Sequence, residues 1–188
     1  MNSRVYGSEV ALAELACDRI REVSQANVLI GGLGMGFTLA AALRQVGPAA
    51  KVVVAELVPE VVRWNQGPLS AVAGHPLKDE RVCVREGDVA TVLKADHQTY
   101  DVILLDVDNG PEGLTRKEND WLYTMTGLYA AFDALRAGGV LAVWSAGPDR
   151  QFTDRLRRVG FDVEEVRARA GINGKGARHV IWLAVKAL

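Results

Sequence analysis

Short unbroken apolar runs alternate with helix-length stretches through most of this chain, and that alternation restricts it to very few folds. The runs are 28–31, 52–56, 82–86, 100–106 and 140–146. Their length and continuity are those of strands buried on both faces. Between and after them come 37–46, 59–73, 89–95, 120–135 and 149–158, each long enough for a crossover helix, with Gly47-Pro48 and Ala137-Gly138-Gly139 punctuating exits. Strands linked this way run parallel, so the alternation predicts one right-handedly wound α/β sheet with helices on both faces.

The end of the chain breaks the rhythm. Residues 160–169 and 178–188 both read as strands, and only the loop AGINGKGA joins them. With no crossover helix they must pair antiparallel, so the predicted sheet is mostly parallel and finishes in a reversed strand. At the other end, 9–22 carries Val10, Ala13, Leu15, Cys17 and Ile20 among charges, with Ser8 as a candidate cap. It reads as a helix outside the alternation, within a helical extension over residues 1–27. A chain of 188 residues suits a single domain spanning 1–188.

Composition excludes several classes of function. The 22 Lys and Arg residues balance 23 Asp and Glu, which argues against electrostatically driven nucleic-acid binding. Cys17 and Cys83 have apolar neighbours and no metal-ligand spacing, so buried free thiols, no metal and a reducing cytoplasmic setting are expected. The N-terminus lacks a signal-peptide core and no apolar run has membrane-spanning length, so a soluble protein without a membrane partner is expected.

Residues 31–36 then pose the chemical question, since four of the six are glycine: Gly31, Gly32, Gly34 and Gly36. Glycine at the exit of a first strand brings bare main chain close to a ligand or to a neighbouring element. In an open α/β sheet that exit lies at the ligand crevice. The spacing is G-x-G-x-G, and the dinucleotide fingerprint would need a small residue where Phe37 stands, so a nicotinamide cofactor ranks last. Glu56 ends the second run, about twenty residues further on, where a carboxylate can take both hydroxyls of an adenosine ribose. Asp88 follows the third run and suits either an adenine amino group or the N-cap of the next helix.

Together these segments resemble the class I S-adenosylmethionine-dependent methyltransferases and, among them, the spermidine-synthase-like proteins. VLIGGLGMG is similar to their first motif, VVVAELVPEVV to the acidic second, EGDVATVL to the third, and YDVILLDVDNGPEG to the segment that carries aminopropyl transfer. The resemblance implies a Rossmann-like, seven-stranded sheet with one reversed strand. It implies S-adenosylmethionine, or its decarboxylated form, held by Gly31, Gly32, Gly34, Gly36, Glu56, Asp88 and Asp106. Three departures stand out, one being the strand-four loop, which in that group runs Asp, two small residues, Asp-Pro and here runs Asp106-Val107-Asp108-Asn109-Gly110. The group also carries an acid inside the glycine turn where this chain has Leu33-Gly34-Met35, and a β-rich domain where only residues 1–27 precede the first strand here.

A sulfonium is already an activated electrophile, so the protein must align a nucleophile, exclude water and, for an amine, take a proton. Asp106 ends the fourth run and is the leading catalytic acid, with Asp108 sharing the work or binding an ammonium. The alternative for Asp108 and Asn109 is turn chemistry. Trp121, Tyr123, Tyr129 and Trp144 are read mainly as core, with a ring face available to a cation. Trp64 is read as packing, His75, His97 and His179 as solvated or satisfied, and Lys175 and Arg178 as loop charges. The expected reaction is methyl transfer to a small molecule, an amine being one candidate. The alternatives are aminopropyl transfer to a polyamine and a non-catalytic nucleoside-binding module. The spare N-terminal helix is a candidate homodimer surface.

Overall fold

The computed structural model describes residues 5–107, 121–171 and 175–188. Asp108, Asn109 and the start of the helix expected at 120 lie outside them. The described strands are β1 (Asn27–Gly31), β2 (Lys51–Glu56), β3 (Val82–Glu86), β4 (Tyr100–Leu105), β5 (Leu135–Ser145), β6 (Phe161–Arg169) and β7 (Arg178–Lys186). The helices are α1 (Gly7–Asp18), α2 (Phe37–Gln45), α3 (Pro59–Gln66), α4 (Val89–Ala95), α5 (Met125–Ala134) and α6 (Arg150–Val159). One seven-stranded sheet has the order β3-β2-β1-β4-β5-β7-β6. Strands β1 to β5 pair parallel, and β7 lies antiparallel between β5 and β6.

Side chains alternate across this sheet with a period of two, which divides the core into two layers. Val28, Ile30, Val52, Val54, Val102 and Leu104 face one side, where Leu12, Ala16, Leu39, Ala42 and Val62 from α1, α2 and α3 cover them. Leu29, Ile103, Leu105, Leu141 and Val143 face the other, against Leu93, Leu128, Phe152 and Leu156 from α4, α5 and α6. Strand β4 is buried at every position, and Asp101, the charged residue within it, is paired there with Arg136 and accepts from Asn27 N–H. Each such aliphatic side chain contributes roughly 1.5–3 kcal/mol on leaving water.

Several boundaries differ from expectation, each for a local reason. Helix α3 ends at Gln66 because Gly67-Pro68 cannot continue it. Ala137-Gly138-Gly139 lies inside β5 rather than before it, in a stretch where the register against β4 shifts between Tyr100 and Val102 and Gly138 takes φ +76°. Ser8 does not cap α1. The helix starts at Gly7, two residues earlier than expected, its N-cap is Tyr6 without a side-chain bond, and Gly7 N–H donates to Ala170 O at 2.7 Å. Cys17 is buried, but Cys83 is exposed because β3 is an edge strand. Trp64 stands 51% exposed instead of packed. Tyr129 is also exposed, whereas Tyr123 is buried and stacks edge-on against Phe152. Lys175 is exposed in the loop, and Arg178 is exposed at the first position of β7. No helix among the described residues is long and apolar enough to cross a membrane.

Candidate functional site

The strand order reverses between β1 and β4, and the crevice at their carboxyl ends is where an open α/β sheet takes ligands. Four adjacent strand exits bring the sequence-selected residues there in spatial order: Asp88 after β3, Glu56 on β2, the glycine turn after β1 and Asp106 after β4. Gly32 explains why that turn is bare. It has φ +90°, and a Cβ built on it would lie 2.5 Å from the Asp106 carbonyl oxygen. Backbone here meets backbone, held by Asp106 N–H to Gly31 O and Gly32 N–H to Ala55 O, both 2.9 Å. Gly36, at φ +82°, is the N-cap of α2.

Glu56 is buried and works on the turn itself. One carboxylate oxygen accepts from Leu33 N–H at 2.8 Å and the other from Val58 N–H at 2.9 Å. Each oxygen keeps further acceptor capacity. Asp88 is exposed and caps α4, with Oδ1 accepting from Ala90 N–H at 2.8 Å. That is the cap among the two roles its position allows, and it uses one oxygen of two. The Asp106 Oδ2 accepts from the buried Thr38 hydroxyl at 2.5 Å, so α2 aims this carboxylate. Asn65, from α3, donates through Nδ2 to Gly34 O at 2.8 Å and Val61 O at 2.9 Å. Its Oδ1 is buried beneath the turn without a hydrogen-bond partner among the described residues.

A pocket of about 200 Å³ opens against the turn, with Glu9, Leu33, Gly34, Asp106, Trp144 and His179 in its lining. Most of the wall opposite the turn is unexpected. Helix α1 docks its first turn on the connection between β6 and β7, which carries Ser8 and Glu9 to the pocket. The Ser8 hydroxyl lies 2.9 Å from His179 Nδ1 and 3.3 Å from Glu9 Oε2. His179 also meets the Trp144 ring edge-on at 4.8 Å, and Trp144 Nε1 is buried without a hydrogen-bond partner among the described residues. Burial raises the Glu9 carboxyl above its ordinary value and lowers the His179 imidazole below its own. Ser8 and His179 stand 171 residues apart, so no local spacing could have announced their contact. Among the described residues no cluster of His, Cys, Asp and Glu is arranged to hold a metal.

Comparison with solved structures shows the same fold at low identity. A spermidine synthase in complex with the transition-state analogue AdoDATO is 20% identical with TM-score 0.72, over 96% of this chain and 60% of that one. A spermidine synthase from Thermotoga maritima is 20% identical with TM-score 0.73, over 96% and 61%. An O-methyltransferase from Bacillus cereus in complex with SAH is 18% identical with TM-score 0.66, over 95% and 80%. The chain therefore spans about 60% of the length of the two synthases. No curated protein matches it. The decisive comparison is with family models: the spermine/spermidine synthase domain matches residues 16–150, which include the glycine turn, Glu56, Asp88 and Asp106, and the chain belongs to that family.

Proposed function

We propose that this protein is a transferase that takes a methyl or aminopropyl group from an adenosyl sulfonium and passes it to a small amine. The observation that carries this reading is the pocket beside the glycine turn, into which β4 and α1 bring the carboxylates of Asp106 and Glu9. Two carboxylates beside an aromatic ring favour a cationic ligand, and no lysine or arginine appears in the described lining. The turn fits the donor: its main chain is uncovered, Glu56 retains acceptor capacity for ribose hydroxyls, and Asp88 has an oxygen outside its cap. The donor supplies the activated carbon. Asp106, steadied by Thr38, holds the amine in line with it, and the enclosing α1 limits water.

Which group moves depends on the donor. Methyl transfer from S-adenosylmethionine is supported by the glycine turn, whose Leu33-Gly34-Met35 lacks the acid that the spermidine-synthase-like group carries there. Aminopropyl transfer from the decarboxylated donor is supported by Glu9, which α1 brings into the pocket that the turn lines, where a donor carboxylate would be repelled and an ammonium welcomed. Calorimetry with S-adenosylmethionine, its decarboxylated form and NAD, using Glu56→Ala as control, tests the reading. Preference for either sulfonium, lost in the variant, supports the transferase and names the group. Binding without turnover over a panel of amines would favour a nucleoside-binding module, and absence of binding by either sulfonium would refute the reading.

A further inference from the structure

We infer that His179 is the proton acceptor for the attacking amine, held in its Nδ1–H tautomer by a Ser8 hydroxyl that is itself committed to Glu9. This inference rests on the transferase reading above. Ser8 is 1% exposed, so its hydroxyl must find partners inside the protein. It has one proton to give, and an ionised Glu9 can only accept. The Ser8 O–H therefore donates to Glu9 Oε2, and its oxygen is left to accept from His179 Nδ1–H. With Nδ1 engaged, Nε2 is the nitrogen that carries the lone pair and remains for a ligand in the pocket that His179 lines. Trp144, edge-on to the imidazole, restricts the ring from another side.

The surroundings keep that lone pair available. Burial disfavours the imidazolium before substrate arrives. Among the described residues, the charged groups that share the pocket with His179 are Glu9 and Asp106. Its partner on β6 is Ala168, while Arg178 on its own strand and Arg167 and Arg169 on β6 alternate to the opposite face of the sheet. In the transfer step the amine, which enters as an ammonium, gives a proton to Nε2, and the lone pair this frees bonds the carbon next to sulfur. The carbon–sulfur pair returns to sulfur, which becomes a neutral thioether. The alkylated amine leaves as an ammonium, and the imidazolium faces Glu9 through Ser8 until it passes its proton to water. Asp106 stays an anion throughout and orients the amine. His179 is the catalytic residue in this scheme, and Ser8 and Glu9 are positioning residues, an orientation logic shared with histidines held by a carboxylate elsewhere.

The test uses the full chain labelled with nitrogen-15 at histidine. Long-range proton–nitrogen correlation at neutral pH should show His179 protonated at Nδ1, and Ser8→Ala should abolish that preference. In parallel, nucleoside release from both sulfonium donors is followed with putrescine and spermidine as probe amines. His179→Gln should lower kcat by about 100-fold and Ser8→Ala by about 10-fold, at the lower end of what a general base contributes, with donor affinity by calorimetry unchanged. Ser8→Ala removes a single hydroxyl and keeps the test readable should His179→Gln fail to fold. An Nε2-protonated ring in the unmodified chain, or His179→Gln turning over at the original rate, would overturn the inference. A chain that binds neither donor refutes the transferase reading, and the tautomer result then decides the hydrogen-bonded chain by itself.

Discussion

Gly32→Ala measures how strongly the crevice depends on one missing side chain. Two costs add at this position. A non-glycine residue at φ +90° is strained by about 1–2 kcal/mol. The new methyl carbon would also sit 2.5 Å from the Asp106 carbonyl oxygen, and because both partners are main chain, β1 and β4 must part at their ends, an overpacking cost of about 1–3 kcal/mol. The sum, about 2–5 kcal/mol, corresponds to a fall in melting temperature of roughly 4–20 °C for a chain of this size. Gly74→Ala is the internal control: its φ is +79°, and a Cβ there meets nothing within 4 Å. It carries the strain alone and should melt only about 2–8 °C below the unmodified protein. Differential scanning calorimetry on both variants, followed by titration with S-adenosylhomocysteine, reads the two contributions separately. Equal melting temperatures for the two variants would show that the close approach of Gly32 to Asp106 does not constrain the turn, and steric contact would no longer explain its glycine.

Other consequences follow from single contacts. Thr38→Val removes the hydroxyl that Asp106 accepts and should cost about 1–3 kcal/mol in urea denaturation, with turnover falling as the carboxylate loses its aim. Arg81 bonds to Asp79 and holds its carboxyl at about 2, below its ordinary 3.8, while reaching the carbonyls of Leu43 and Val46 at the end of α2. A depressed acid stabilises the fold above its unfolded value and loses that contribution as pH falls toward the folded one, so Asp79→Asn should flatten stability between about pH 4 and 2. For His179, lowered by burial, stability is likewise present above the ordinary 6.5 and lost as pH falls below it; the acid limb in this range should be shallower in His179→Gln. Burial pushes the Cys17 thiol up to about 12 while Cys83 is exposed, so a thiol reagent at pH 8 should modify a single cysteine in the folded protein and both in urea.

The parts of this molecule that were legible in advance depend on short-range pattern. Apolar continuity placed β1, β2 and β4, because a strand covered on both faces admits a polar residue only where it finds a partner, as Asp101 does in Arg136 and Asn27 N–H. The absence of a crossover before 178–188 announced the reversed β7. The glycine spacing located the turn, and chain position carried Glu56, Asp88 and Asp106 to adjacent strand exits. Boundaries were less legible where neighbours decide them. The extension of β5 back to Leu135 needs β4 beside it, and the exposure of Cys83 follows from β3 having no outer neighbour.

By itself, then, the amino-acid order determined the winding of the sheet and the crevice at its switch point, since both follow from side-chain periodicity and connection length. Only the tertiary structure decided what closes that crevice. Helix α1 reads as an appendage, yet its first turn docks on the end of β6 and brings Ser8 and Glu9 to His179 from the far end of the chain. No local propensity encodes such a contact, because it arises when two distant segments bury their apolar faces on the same sheet and their polar groups must satisfy one another there.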